Sequence, residues 1–178
     1  NDGFYLMVEG GRVDHGHHAG NAYRALTDAQ EFAEAVAAAV EMVDMSETLI
    51  LVTADHSHTF TIAGYPERGN PILGLSGQKN PGVEGGFEPR LAGDGKPYTT
   101  LGYTNGSGAI EGKRPILTQE EVLDPNYKQQ SAIPMGSETH AGEDVAVFAV
   151  GPWAHLVDGV MEQNLIFHIM KHAMELEE

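Results

Sequence analysis

Apolar residues gather along this chain in two different ways. Phe4-Tyr5-Leu6-Met7-Val8 and Thr48-Leu49-Ile50-Leu51-Val52-Thr53 are runs without polar alternation, the pattern of strands covered on both faces. Between them, Ala29, Phe32, Ala33, Val36, Val40 and Val43 recur at helical spacing and predict one apolar helix face. Thr27-Asp28-Ala29-Gln30 has capping-box spacing, with Thr27 as N-cap and Gln30 reaching back. Strand, helix and strand over about 50 residues predict a right-handed βαβ unit of a parallel sheet. Further on, Asp144 to Val150 (DVAVFAV) predicts a strand ended by Gly151-Pro152, and Leu156 to Leu176 an amphipathic closing helix.

The stretch from Gly64 to about Ser137 has another character. Gly and Pro crowd it and helical periodicity is lost. Tyr98 to Tyr103 and Ala109 to Ile110 flank Asn105-Gly106, a hairpin signal. The expected fold is therefore α/β: a mostly parallel central sheet flanked by helices, with a Gly/Pro-rich insertion carrying a small antiparallel sheet. The expected divisions are 1–63, 64–137 and 138–178.

Charge narrows the partners. Ten Lys and Arg face 26 Asp and Glu, a net charge of −16, the wrong sign for binding a nucleic acid. No apolar run approaches the roughly 20 residues a membrane-spanning helix needs, and 41% apolar content suits a soluble globular domain. Cys is absent, so disulfides, thiolate zinc sites and Cys nucleophiles are excluded together. Nine His leave imidazole and carboxylate as the available metal ligands. The chain opens at Asn1, without Met, in what reads as the run-up to a strand, so a segment, a signal peptide included, is expected upstream. No hydrophobic tail follows Glu178, so a lipid anchor is not expected.

Three polar clusters border the predicted strands. In the first, Glu9 is followed by Asp14-His15-Gly16-His17-His18. Asp14 and His18 are four apart, and one helical turn would set carboxylate and imidazole on the same face. A hard oxygen beside a borderline nitrogen suits a divalent transition metal, although a solvated polar loop has the same composition. The second cluster, Thr53-Ala54-Asp55-His56-Ser57-His58, directly follows a strand, where open parallel sheets bind ligands. Neighbours on an extended strand point to opposite sides, so Asp55 and His56 can meet one ion only if the backbone turns. The third, Glu138-Thr139-His140-Ala141-Gly142-Glu143-Asp144, precedes its strand. For His140 to join the others, either that strand runs antiparallel or its loop folds back.

Other chemistries lack their motifs. There is no HExxH, no GxSxG and no GxxxxGK[ST]. Ser57, Ser131 and Ser137 have no evident base beside them. Met42, Met45, Met161, Met170 and Met174 fall at predicted helix positions and read as packing, and His155, His168 and His172 as helix-surface or core residues. Asn105-Gly106-Ser107 matches the glycosylation sequon, a triplet common by chance.

With the three clusters in hand, the chain closely resembles the C-terminal half of the alkaline phosphatases, in their animal-type pattern. The resemblance rests on VEGGRVDHGHH (Val8 to His18), LVTADHSHTF (Leu51 to Phe60) and ETHAGEDVAVFAVGP (Glu138 to Pro152), and extends through GYPERG near Tyr65 and YKQQSAIP near Gln129. It implies hydrolysis of phosphate monoesters through a phosphoserine, at two zinc ions and one magnesium. Carried over by position, Asp14, His18 and His140 would hold the first zinc, Asp55 and His56 part of the second, and Glu9 the magnesium. His15 would stand behind the ligands, beside the magnesium and phosphate sites, and Tyr65 would reach toward a neighbouring subunit. The insertion resembles the family's crown, which implies a homodimer, and the family implies an extracellular or periplasmic location. The family's serine nucleophile, its phosphate-gripping arginine and the aspartate bridging zinc and magnesium belong to an N-terminal half not represented in this sequence. Residues 1–178 alone are thus expected to be inactive. A sulfatase or phosphomutase of the same superfamily, or a non-catalytic zinc-binding module, are the alternative readings.

Overall fold

The computed structural model describes residues 3–176. In chain order it contains helices α1 (Arg12–His18) and α2 (Ala22–Met42), strands β1 (Ile50–Thr53), β2 (Ser57–His58), β3 (Phe60–Ile62), β4 (Gly77–Lys79), β5 (Phe87–Pro89) and β6 (Leu101–Gly106), helix α3 (Gln119–Leu123), strands β7 (Ser131–Pro134), β8 (His140–Ala141) and β9 (Val147–Val150), and helix α4 (Leu165–Ala173). Helices and strands are mixed and the sheets are small. The described residues divide into two compact units, one of 3–9, 31–56 and 143–176, the other of 10–30 and 57–142.

In the first unit, β1 pairs antiparallel with β9 over Ile50↔Val150 to Thr53↔Val147. Phe4 to Val8, expected as a strand covered on both faces, forms no strand, and its five side chains are 60–72% exposed. A strand exists only where a neighbour takes up its backbone groups, and no described segment does so here. The predicted parallel βαβ unit is accordingly not formed, and the predicted mostly parallel central sheet is not seen among the described residues. The closing helix is also shorter than its pattern. A 3₁₀ turn at Ala154–Leu156 is followed by non-helical chain, with Gly159 at φ +62°, before α4 begins. Asp158-Gly159 breaks the helix where hydropathy alone runs on.

The second unit holds a three-stranded sheet, β3-β6-β7, and two antiparallel pairs, the long-range pair β2-β8 and the consecutive strands β4-β5. Its one parallel pair is β6 with β7. The predicted hairpin through Asn105-Gly106 does not form: β6 pairs antiparallel with β3, and Ala109 bridges Ser131. Leu75, Leu117 and Val122 form a core against which Phe87 and Tyr127 pack, each buried aliphatic chain contributing roughly 1.5–3 kcal/mol.

Helix α2 starts earlier than the predicted cap at Thr27. Asn21 Oδ1 accepts from the Arg24 N–H at 2.9 Å, and Gln129 Oε1 accepts from the Ala22 N–H at 2.8 Å. Two acceptors satisfy the helix's free donors there, and Thr27 lies inside the helix with its hydroxyl donating to Tyr23 O. The predicted apolar face is half-buried at Ala29, Phe32, Val36 and Val40, while Ala33 is exposed. The start of α2 is where α1 docks. Gly16 is buried, and a Cβ there would lie 2.6 Å from Ala25 N and 2.9 Å from Ala25 Cα. Backbone cannot yield as a side-chain tip can, so Gly16→Ala is expected to cost about 1–3 kcal/mol and to lower Tm; an unchanged Tm would contradict this packing.

Candidate metal centre

Helix α1 performs the geometry that the four-residue spacing predicts. Asp14 Oδ1 and His18 Nε2 are 3.2 Å apart on one face. The β2-β8 pair then sets His58 directly across from His140, and both rings turn their Nε2 toward the same carboxylate oxygen. His58 Nε2 lies 3.1 Å and His140 Nε2 3.4 Å from Asp14 Oδ1. His18 Nε2 and His140 Nε2 are 3.1 Å apart.

His18 is held at both ring nitrogens. Its Nδ1 is 2.7 Å from the Glu138 backbone oxygen, which can only accept, so Nδ1 carries a hydrogen and Nε2 is the atom turned to Asp14 and His140. The separations among Asp14 Oδ1, His18 Nε2 and His140 Nε2 are 3.2, 3.4 and 3.1 Å. Ligand atoms on a tetrahedral zinc with bonds of about 2.0–2.1 Å stand about 3.3 Å apart. One carboxylate and these imidazoles are also the donor types zinc takes when thiolates are lacking.

Behind the cluster lies a support that the sequence reading left out. Glu138, 1% exposed, accepts from His58 Nδ1 at 2.8 Å, from the Thr59 N–H at 2.7 Å and from the Thr59 hydroxyl at 2.9 Å. The next layer is His17, whose ring stacks on His58 at 4.6 Å and whose Nδ1 meets the Tyr103 hydroxyl at 2.9 Å. Burial pushes the His17 pKa down to about 4, with the His58 ring adding to the effect, and burial raises that of Tyr103. The unfolded chain then binds a proton at His17 that the folded chain refuses. This share of stability is complete above about pH 6.5 and is lost as pH falls toward about 4. Denaturant titrations of the metal-free protein across that window are expected to show stability rising with pH, and less steeply in His17→Phe.

Thr139, between Glu138 and His140, is pinned by Asn105. The amide of Asn105 donates to Thr139 Oγ1 at 2.8 Å while its oxygen accepts from the Thr139 N–H at 3.0 Å. The sequon asparagine is thus engaged on both ends and half-buried. Intact mass after secretion from a eukaryotic host is expected to show Asn105 unmodified; a glycan there would contradict this role.

In the first unit, the chain leaves β1 at Thr53 and bends at Asp55. That bend supplies the turn the sequence required, since Asp55 Oδ2 and His56 Nε2 come to 3.4 Å. Glu9 is exposed at the end of the Phe4 to Val8 segment, His15 is exposed on α1, and Tyr65 is 87% exposed. β9 runs antiparallel to β1, so its entry at Val147 lies beside the exit Thr53; of the two possibilities open for the third cluster, the strand takes the antiparallel one.

The carboxylate of Asp14 and the imidazoles of His18, His58 and His140, gathered by a short helix and a two-stranded ribbon, are donors that could hold a divalent metal ion. The sequence profile described as alkaline phosphatase matches residues 1–176, and the chain belongs to that family. It is 49% identical over 174 residues to the tissue-nonspecific alkaline phosphatase of Rattus norvegicus, an alignment covering 96% of this chain and 31% of the relative. The corresponding protein of Homo sapiens is 47% identical over the same share of both chains. The chain therefore spans about a third of the length of the curated relatives it matches.

Proposed function

We propose that this chain is the C-terminal part of an alkaline phosphatase that hydrolyses phosphate monoesters through a phosphoserine. The observation that carries the reading is the set of tetrahedral-edge separations among Asp14, His18 and His140. In this reading those three residues hold the first zinc, Asp55 and His56 contribute to the second, Glu9 serves the magnesium, and His15 stands behind them beside the phosphate. Zinc and magnesium bound there supply the positive charge that draws a phosphate dianion to a chain of net charge −16 and stabilise the oxygens of an in-line displacement.

The chain's own residues prepare the site. The Glu138 carbonyl takes the hydrogen of His18 Nδ1 and so turns Nε2 toward Asp14, and the His58↔His140 register goes with His140 lying beside Asp14. Neutral imidazoles are required for binding, so alkaline solution favours the loaded site. The serine nucleophile, the phosphate-gripping arginine and the bridging aspartate come from an N-terminal half, which also supplies neighbours for Phe4 to Val8 and completes a mostly parallel sheet. Residues 64–137 form the crown-like insertion through which the protein makes a homodimer, with Tyr65 directed to the partner. An extracellular or periplasmic location goes with the family; no described helix is long and apolar enough to cross a membrane.

Metal titration of the purified full-length protein tests this. A phosphatase takes up two zinc ions and one magnesium per subunit and releases inorganic phosphate from p-nitrophenyl phosphate. Zinc uptake without phosphate release would identify a binding module instead, and a monomer by light scattering would refute the dimer.

A further inference from the structure

Beyond the proposed metal ligands, one residue touches two of the three imidazoles that meet Asp14, those of His18 and His58. Glu138 gives its backbone oxygen to His18 Nδ1 at 2.7 Å and its side-chain Oε2 to His58 Nδ1 at 2.8 Å. Its other carboxylate oxygen is held by two donors of Thr59, at 2.7 and 2.9 Å. The Glu138 N–H in turn donates to His18 O at 3.1 Å, tying the residue to the end of α1. A carboxylate removed from water in this way is held in one orientation, with both oxygens committed. His58 is thereby fixed with Nδ1 on Glu138 and Nε2 at 3.1 Å from Asp14 Oδ1. Imidazoles at metal sites are commonly fixed by a carboxylate or carbonyl on the far ring nitrogen; here one residue supplies both kinds of acceptor.

Resting on the phosphatase reading, we infer that Glu138 is the positioning residue of the first zinc site, acting through His58 on Asp14 and through its backbone on His18. It touches neither substrate nor metal. The acidic side chain is needed because Oε1 is occupied by Thr59, so Oε2 must be an acceptor for His58 Nδ1. An amide at this position would turn an N–H toward His58 or give up Thr59.

The test is zinc affinity in the full-length protein, measured by competition with a chromophoric chelator for Glu138→Gln, His58→Ala and the double variant. Glu138→Gln keeps the volume at position 138 and is expected to weaken zinc binding about 10–100-fold. On the His58→Ala background the same change is expected to add less than about twofold, because its effect travels through His58. Wild-type zinc affinity in Glu138→Gln, or an equal loss with and without His58, would overturn the inference, the second result marking a purely structural carboxylate. Nitrogen-15 spectra of the histidine-labelled, metal-free wild type give a measurement independent of any variant's folding. They are expected to show His18 and His58 protonated at Nδ1; hydrogen on Nε2 alone at His58 would overturn it. Should the wild type bind no zinc, the phosphatase reading fails, while these spectra still decide whether Glu138 fixes His58.

Discussion

On the proposed phosphatase reading, Asp14→Ala in the full-length protein is expected to empty the first zinc site and abolish turnover. Asp14 Oδ1 is the atom on which His18, His58 and His140 converge, at 3.2, 3.1 and 3.4 Å. Without it three imidazoles face a point with no anionic ligand, and a dication loses its strongest partner in the set. Removing a residue that merely supports a ligand costs about 10–100-fold in metal affinity, so losing the ligand itself is expected to cost at least about 100-fold. Metal analysis after dialysis and p-nitrophenyl phosphate assays check this together. The metal-free fold is expected to change little, since the Asp14 side chain is only partly buried. Full zinc content with wild-type turnover would remove Asp14 from the site.

The second large effect concerns the chain by itself. Residues 1–178, purified alone, are expected to show no steady turnover of p-nitrophenyl phosphate, and co-expression with the N-terminal part of the protein is expected to restore it. Ser57, Ser131 and Ser137 have no evident base beside them in the sequence, and Ser137 spends its hydroxyl on the His18 and Glu138 carbonyls. Phe4 to Val8 exposes five apolar side chains in a row, surface that the proposed N-terminal half would cover. Turnover by the isolated chain that survives removal of these serines would contradict the assignment of the nucleophile to the other half.

Local rules account for part of the candidate site's geometry. The i, i+4 spacing of Asp14 and His18 needs only a helical turn, and α1 provides it. The bend after β1 that Asp55 and His56 need is likewise a local event. His58 was visible in the same segment as His56, two residues on, where strand alternation could have marked it as sharing a face; its partner Glu138 carries no such signal, because the contact joins residues 80 apart in the chain. Pattern failed where tertiary context decided. The spacing at Thr27-Gln30 looks like a capping box but is overruled by Asn21 and Gln129, whereas the same spacing at Thr118-Glu121 is a real one, with both reciprocal bonds made. Phe4 to Val8 has the composition of a buried strand, yet burial requires neighbours that the described residues do not supply. Direction of pairing is a long-range property as well, which is why the hydropathy of β1 and β9 could not reveal their antiparallel register.

Anomalous diffraction at the zinc edge from crystals of the full-length protein tests the central claim most directly. A peak is expected within bonding distance, about 2.0–2.2 Å, of Asp14, His18 and His140 together. No peak among these three side chains, or one bound to His18 and His140 without Asp14, would contradict it.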